Sequence, residues 1–434
     1  MPIQAQLCRS DQLVDCPSPH ELRRSLLPPQ RRYRVALPTA RWPRVRAVNS
    51  APELSVNAGA RLRAARWATR AQFSALGFSA GIWGVHIPAV KAHYGLSESG
   101  LSMVLLAIAV GAVLCLTWAG KIVAALGARL VVLLAGLVIC AALALVVNVN
   151  SMFALIPLML AFGGANGLFD VSINAEGTVL EAQSGKRVMS NFHGMYSVGG
   201  MVGAGVGALL IAADVPPALQ LAGLGAVLAM LVAAASVFML PVHPKDPEHR
   251  STNSLPRGAL AVMGVLAAVG LLAEGAMYDW SVLYMQTETA APPALAALGY
   301  ASFSAAMAAT RFVGDTLRAH MSAQRLMAAS GALAAAAMAT ALLVRDPIVA
   351  LAGFALVGIG FANVVPILFI GATKVPGVAP AAAIATVSSV GYLGFVVGPP
   401  LVGGIAHSLS LSWALGVVVI GGLLLAWGAR RIPA

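Results

Sequence analysis

The sequence predicts an all-α polytopic membrane protein with twelve transmembrane helices in two six-helix, pseudo-symmetric halves. Hydrophobic residues make up 59% of the 434 residues and charged residues only 10%, too few to cover a soluble surface. Apolar runs of about 20 residues, the length that crosses ~30 Å of hydrocarbon, recur along the chain. These runs are continuous, unlike the short alternating strands of a β-barrel.

Twelve runs are placed by this length rule. Abundant Gly and Ala favour close packing between them. They occupy residues 68–90, 99–119, 129–148, 152–176, 189–212, 218–240, 259–286, 294–314, 326–344, 348–373, 381–406 and 412–429.

Residues 1–66 form a separate, basic tail. They hold twelve Arg, no Lys and four acidic residues, a net charge of +8. Three interpretations are open: a polybasic arm for anionic lipid or nucleic acid, a disordered extension, or sequence upstream of a mis-assigned start near Val56. The last two are favoured, so no nucleic-acid partner is expected. No apolar region follows Arg23-Arg24, which argues against a signal peptide.

Basic residues fall mainly on one side of the predicted membrane. With the tail in the cytoplasm, the outer connections contain only Lys91 and Arg345. This asymmetry follows the positive-inside rule and predicts that both termini are cytoplasmic. The inner connections contain Lys121, Arg129, Lys186, Arg187, Lys245, Arg250, Arg257, Arg318, Arg325, Lys374, Arg430 and Arg431.

A polar linker at 241–257 divides the spans into an N-terminal half, 67–240, and a C-terminal half, 258–434. Short segments recur in equivalent spans of the two halves. GGAN at 163–166 is echoed by GFAN at 360–363, and SVGG at 197–200 by SVGY at 389–392. Repeats of this kind are typical of two halves that enclose a binding site near the membrane midplane.

The connection between spans two and three resembles half of a motif, G-x3-D-R/K-x-G-x-R/K, of the major facilitator superfamily. Gly120, Gly127 and Arg129 match, whereas Ala replaces the acidic residue and the base after it. The second-half counterpart, RFVGDTLR at 311–318, is better preserved. The resemblance covers about residues 68–430, and it implies the superfamily fold with spans one, four, seven and ten around a central cavity.

Three further segments resemble the bacterial YbjJ-like permeases and, more distantly, the fucose permease group. They are DVSINAEG at 170–177, SNFHGMYSVGG at 190–200 and EGAMYDWSVLYM at 274–285. In the fucose permease group an acidic residue precedes an Asn by four positions in span four, as Asp170 precedes Asn174. The resemblance implies a multi-pass protein of the bacterial inner membrane.

Asp170 is the strongest candidate for a functional residue. Asn166 and Asn174 lie one helical turn to either side of it, so the three form one polar stripe in an apolar span. Ionisable groups at membrane depth are costly and usually face a bundle interior or a wet cavity. Asp170 is expected to exchange a proton or to bind solute hydroxyl groups, the alternative being a structural carboxylate. Glu176 and Glu181 are interpreted as solvated charges near the surface.

Two other spans supply candidate partners. His193 lies at a depth similar to that of Asn174, so it could join Asp170 in a proton relay or simply bond a neighbouring carbonyl. Glu274 and Tyr278 lie one turn apart in span seven, and a carboxylate beside aromatic rings suits a sugar. Asp279 belongs either to this site or, with Trp280, to an interfacial anchor.

Span one and span ten complete the expected ring. Ser79, Trp83 and His86 share one face of span one. Asn363 stands at the position in span ten that echoes Asn166. Any of these side chains could instead bond helix to helix.

Several residues are expected to support conformational change. Arg311 and Asp315 form a predicted charge cluster that latches the halves, and Gly120, Gly127 and Arg129 form the related motif of the first half. Packing seams or hinges are expected at Gly199, Gly203, Gly207, Gly394, Gly398, Pro399 and Pro400.

Together these features predict a secondary transporter that moves a small, sugar-like solute with protons by alternating access. Two alternatives stay open: a proton-driven exporter of drugs or metabolites, and a membrane sensor or scaffold that moves nothing. Span five lacks the Pro typical of drug–proton antiporters, which weakens the first alternative. No nucleotide-binding loop or nucleophile–base constellation indicates an enzyme.

No cofactor or metal is expected, because no Cys/His spacing suggests a metal site. Cys115 and Cys140 lie in apolar spans, where Cys behaves as a small hydrophobe. The expected partners are the solute, protons and membrane lipid, and the chain is expected to act as a monomer.

Overall fold

The computed structural model describes residues 51–185, 188–241 and 258–432. These residues fall within one compact unit, Glu53–Ala434, apart from the first two. The described chain is helical throughout, with short turns between helices and no β-strand. Residues 1–50 of the tail and residues 242–257 of the linker lie outside the described residues.

Six helices form the first half. Helix α1 begins at Ala51, so the last part of the predicted tail, up to residue 66, is helical. The helices are α1 (Ala51–His93), α2 (Glu98–Leu126), α3 (Ala128–Leu145), α4 (Met152–Ser184), α5 (Met189–Ala212) and α6 (Pro217–Val237).

The second half also contains six spans, two of which are interrupted. Span ten breaks at Asn363, between α10 and α11, and span twelve bends between α13 and α14. The elements are α7 (Ala259–Glu288), α8 (Pro293–His320), α9 (Ala323–Val344), α10 (Pro347–Phe361), α11 (Val364–Thr373), α12 (Pro380–Ser408), α13 (Leu411–Ala414), α14 (Gly416–Gly428) and a final 3₁₀ turn (Ala429–Arg431).

Local sequence explains where several helices begin and end. Ser97 and Ser151 accept hydrogen bonds from Gly100 N and Phe153 N, which satisfies free amides at the starts of α2 and α4. Gly127 has φ 81° between α2 and α3, a backbone conformation that glycine adopts at low cost. This explains why the loop motif retains glycine at that position.

The described residues contain 11 helical segments that are long and apolar enough to cross a membrane. The 28-residue helix α8 is not among them, and its last third contains Arg311, Asp315 and Arg318. Its neighbours on both sides do qualify, and α8 has sufficient length to span. The prediction of twelve spans therefore agrees with the architecture, with α8 as the polar exception.

The same helix pairs recur in the two halves. In the first half α1 packs on α5, α2 on α4, α3 on α4 and α3 on α6. In the second half the equivalent spans pair in the same way: α7 on α12, α8 on α10, α9 on α10 and α9 on α14. The predicted pseudo-symmetry of the helix bundle is thus present in its packing.

Contact between the halves involves α5 with α8 and α2 with α12. Within the first half, small residues let α1 and α5 approach closely: a Cβ on Gly199 would lie 2.1 Å from Ser74 O, and one on Gly203 would lie 2.4 Å from Phe78 O. The predicted glycine seam is therefore a helix-packing surface between α1 and α5.

Candidate functional site

A buried ion pair lies where the two halves meet. Arg311 Nη2 on α8 is 3.2 Å from Glu274 Oε1 on α7, and the two side chains are 19% and 10% exposed. Arg311 Nη1 also donates a 2.9 Å hydrogen bond to Ser197 Oγ on α5. One guanidinium thus connects two helices of the second half to a helix of the first. The sequence pattern had grouped Arg311 with Asp315, whose side chain is not described.

A cluster of aromatic rings includes Tyr278, which lies within electrostatic range of Glu274 and Arg311. The Tyr278 ring lies 5.1 Å from the Tyr300 ring and 5.0 Å from the Phe303 ring, and the second contact is edge-to-face. The Tyr278 hydroxyl contacts Met307 Sδ at 3.5 Å. Opposite them, a Cβ on Gly84 of α1 would lie 2.4 Å from the Tyr300 ring. Glu274 and Tyr278, both predicted from the sequence, therefore belong to one cluster of charged and aromatic groups.

Tyr196 on α5 lies near several charged groups from both halves. Its phenol lies within electrostatic range of Glu274, Asp170, Arg311 and Asp279. Asp170 also lies within electrostatic range of Tyr392 on α12. The three acidic side chains are therefore distributed around one region of the bundle rather than gathered into a single contact.

The predicted stripe on α4 is present, and its members bond mainly within their own helix. Asn174 Nδ2 donates to Asp170 Oδ1 at 3.0 Å and to Asp170 O at 2.8 Å. Asn166 Nδ2 donates to Phe162 O at 2.8 Å. All three side chains are partly buried. Asp170 keeps one carboxylate oxygen free of hydrogen bonds to the described residues, so a proton or a solute hydroxyl can reach it.

His193 does not contact Asp170. Its ring makes an edge contact with Phe73, with centroids 5.3 Å apart, and it lies within electrostatic range of Arg311. No hydrogen bond joins it to another described residue. The relay between His193 and Asp170 is therefore absent from this structure. The exposed His193 ring lies one helical turn before Ser197, on the side of α5 that bonds Arg311.

Asp279 occupies a cleft between α7 and α12. Trp280, Phe395 and Pro399 also line this cleft. Trp280 is 0% exposed, so the alternative in which it anchors the chain at the membrane interface is wrong. Instead, its indole fills the interior of the second half.

Three residues of the predicted ring have helix-packing contacts instead. His86 is buried and bonds Ile82 O at 2.7 Å and Gln220 Oε1 at 3.0 Å, which links α1 to α6. Trp83 is buried against Phe162, with ring centroids 5.7 Å apart. Asn363 is buried at the break in span ten, where a Cβ on Gly314 would lie 2.5 Å from its Oδ1.

In the motif at the end of α2, Gly127 is buried, whereas Gly120 and Arg129 are exposed. Arg129 forms no hydrogen bond or ion pair with any other residue that the structure describes. Glu176, expected to be solvated, is 2% exposed and accepts a 2.7 Å hydrogen bond from Leu240 N. That expectation is wrong, because the carboxylate satisfies a buried amide after α6.

Ser197, Tyr196 and Tyr300 were not among the predicted site residues. The segment SNFHGMYSVGG contains Tyr196 and Ser197. Its glycines were interpreted as packing residues, and only His193 was interpreted as a functional residue. Tyr300 lies outside every motif recognised in the sequence. Among the described residues, no group of three or more His, Cys, Asp or Glu could hold a metal ion.

Comparisons with known proteins identify relatives of similar length. The chain is 34% identical to an uncharacterized MFS-type transporter of Yersinia pestis, over 84% of this chain and 94% of that protein. It is 32% identical to the membrane protein MosC of Rhizobium meliloti, over 82% of this chain and 87% of that one. The sequence profile of the Major Facilitator Superfamily matches residues 71–380.

Solved structures with the same fold are more distant in sequence. The nucleoside transporter NupG has a TM-score of 0.64 at 13% identity, covering 83% of this chain and 99% of its own. The E. coli fucose:proton symporter FucP scores 0.60 at 15% identity, and a D-xylose-proton symporter scores 0.68 at 14%. Each covers 85% of this chain and 98% of its own. With the family profile and two relatives above 30% identity in agreement, this chain belongs to the major facilitator superfamily of membrane transporters.

Proposed function

We propose that this transporter moves a small, polar, sugar-like solute together with protons across the bacterial inner membrane. The observation that carries the proposal is the Glu274–Arg311–Ser197 cluster, which joins the two halves beside a group of aromatic rings. Membrane-embedded charges of this kind mark solute and ion pathways, because structural needs alone seldom justify their cost.

The cluster has the groups that a sugar-like solute requires. Tyr278 is half-buried and offers an aromatic ring against which a sugar ring can stack, while the buried Tyr300 and Phe303 rings hold Tyr278 in place. Glu274, Arg311 and Ser197 offer acceptors and donors for its hydroxyl groups. A site built to bond hydroxyls discriminates strongly against analogues that lack them, because its own polar groups would be left unpaired.

Coupling to protons follows from the ion pair. A proton on Glu274 removes the charge that holds Arg311, and Arg311 in turn holds Ser197 of the other half. Protonation therefore weakens the contact between α5 and the pair α7–α8. Asp170, with one unbonded carboxylate oxygen, supplies a second proton acceptor on α4.

Alternating access requires the halves to separate on one side at a time. The contacts between the halves include α5 with α8 and α2 with α12. A Cβ on Gly403 of α12 would lie 2.3 Å from Ser102 Cβ of α2, near the turn between α1 and α2. The bundle is therefore closed where α2 begins and α12 ends. This closure supports a cycle in which the α2–α12 contact opens to admit solute.

Uptake into proteoliposomes tests the proposal. The purified full chain is reconstituted, an outside-acid pH gradient is imposed, and radiolabelled fucose, xylose and a nucleoside serve as probes because the structural relatives are described as carriers of such solutes. We expect accumulation of at least one probe above its external concentration, and collapse of that accumulation when a protonophore is added.

Other outcomes would overturn the proposal. Accumulation only under the opposite gradient would favour the exporter. Saturable binding of a probe without flux in either direction would favour a sensor, and flux unaffected by the protonophore would exclude proton coupling.

A further inference from the structure

Helix α7 carries three carboxylates, of which Glu288 bonds the start of α13 and the other two face different neighbours. Glu274 faces α8 and pairs with Arg311. Asp279 follows five residues later, which is about 140° further round the helix at 100° per residue. It faces α12 instead and lines the cleft between α7 and α12. Asp279 takes no part in the Glu274–Arg311–Ser197 contact.

The cleft forms where two tightly packed helices part. Near its start, a Cβ on Gly394 of α12 would lie 2.1 Å from Ala268 O of α7. One turn later, a Cβ on Gly398 would meet nothing nearer than Leu272 Cγ at 3.7 Å. The space that opens there is about large enough for a single water molecule. Apart from Asp279, the side chains around it are apolar.

Asp279 has no bonding partner in the described part of the chain. The phenols of Tyr196 and Tyr300 lie within its electrostatic range and are uncharged at neutral pH. Helices α10, α11 and α14 contain no Asp, Glu, Lys, Arg or His, and the only ionisable groups of α12 are Tyr392 and His407. Arg311, on α8, is held by Glu274 and Ser197. A charged carboxylate without a counter-ion is costly in such surroundings.

The facing wall of the cleft contains an acceptor without its usual donor. Pro399 has no N–H, so it cannot bond the carbonyl four residues earlier, which belongs to Phe395. Phe395 and Pro399 both line the cleft with Asp279. Phe395 is half-buried, and a carbonyl shielded from water normally has a partner. A protonated carboxyl group would supply the missing donor, and the carbonyl would supply the acceptor that such a group needs.

We propose that Asp279 binds a proton in this cleft and donates it in a hydrogen bond to the main-chain carbonyl of Phe395. The carboxylate gains the proton from the aqueous phase, and the resulting acid bridges α7 to α12. This is a second proton site, distinct from the Glu274–Arg311 pair, and it extends the proposed proton coupling. A metal cation fits poorly, because hard cations require several oxygen ligands and these walls are apolar.

Infrared difference spectroscopy of the full chain in lipid bilayers tests the proposal without any solute. Spectra are recorded between about pH 5 and about pH 9, and the carbonyl stretch of protonated carboxyl groups is followed. We expect Asp279→Asn to remove one such band. Pro399→Ala restores an N–H that captures the Phe395 carbonyl, so the same band should move to higher frequency as its hydrogen bond weakens.

Pro400→Ala is the matched control. It restores a neighbouring N–H in the same helix, but Pro400 is exposed and does not line the cleft, so the band should not move. If Asp279→Asn does not fold, the comparison of Pro399→Ala with Pro400→Ala decides alone.

Three results would overturn the proposal: identical spectra for the wild type and Asp279→Asn, an equal shift in both proline variants, or loss of the band when Na⁺ replaces choline at constant pH. None of these measurements depends on transport. The proton site can therefore fail while the proposed function stands, and the reverse is also true.

Discussion

The Arg311 guanidinium lies 3.2 Å from the Glu274 carboxylate, and its other terminal nitrogen bonds Ser197 at 2.9 Å. Arg311 is thus the shared partner of a carboxylate in its own half and a hydroxyl in the other half. Any change in the charge of Glu274 alters how firmly Arg311 is held. The contact between the halves is therefore linked to one ionisable group.

Removal of one partner of this ion pair should destabilise the protein strongly. Glu274→Gln or Arg311→Gln leaves an uncompensated buried charge, which costs about 3–5 kcal/mol. The double variant should recover most of that loss, because neither charge is then left alone. Thermal unfolding of detergent-purified protein measures the cycle.

Arg129→Gln is the matched control, because Arg129 is exposed and unbonded in the described chain, and its effect should stay within about 0.5 kcal/mol. A double variant as unstable as the sum of the two single variants would contradict an interaction between the residues.

The α1–α5 seam should tolerate no added methyl group. In Gly199→Ala the new Cβ would lie 2.1 Å from Ser74 O, so the helices must separate. Overpacking of this kind costs about 1–3 kcal/mol. Gly205→Ala in the same helix meets nothing within 4 Å and should leave stability unchanged or slightly raised. Equal melting temperatures for the two variants would show that the seam is looser than described.

His86 should be a structural residue rather than a solute ligand. His86→Ala leaves Gln220 without one hydrogen-bond partner, which costs about 1–3 kcal/mol. The KM for a transported solute should stay within twofold of the wild-type value. An increase in KM of tenfold or more without loss of stability would return His86 to the binding site.

The α2–α12 contact should open during transport. In a variant with its other cysteines replaced, Ser102→Cys and Gly403→Cys place two thiols on facing positions. The two Cβ atoms would be 2.3 Å apart, so α2 and α12 must separate by about 1–2 Å to reach the Cβ distance of a disulfide. Oxidation should arrest solute flux, and reduction should restore it. Each single-cysteine variant should transport under both conditions. Undiminished flux in the crosslinked protein would exclude opening at this contact.

Hydropathy and length were sufficient to predict the helical architecture, because each span must satisfy its own backbone within the membrane. The membership of the superfamily and the fold were also predicted correctly. The break at Asn363 was not predicted, since GFAN resembles a continuous apolar segment. The helical part of the tail before residue 68 was not predicted, because charged residues can occupy a helix that extends beyond the hydrocarbon layer.

The site was only partly predictable, since sequence spacing identifies residues on one helix face but not the helix that this face meets. Glu274 and Tyr278 were found from their spacing on α7. Arg311 and Ser197 lie on different helices, and only the tertiary packing brings them together. His86 shares a helix face with Ser79 and Trp83, yet it points towards Gln220 of α6.

Asp170 provides the most direct test of proton-coupled transport. In proteoliposomes, Asp170→Asn should lose accumulation driven by an outside-acid gradient, because an amide at this position cannot bind and release a proton. Exchange of labelled for unlabelled solute, which needs no net proton movement, should persist. Asn166→Ala serves as the control on the same helix, because Asn166 bonds only its own backbone. Gradient-driven accumulation that is undiminished in Asp170→Asn would contradict the role proposed for Asp170.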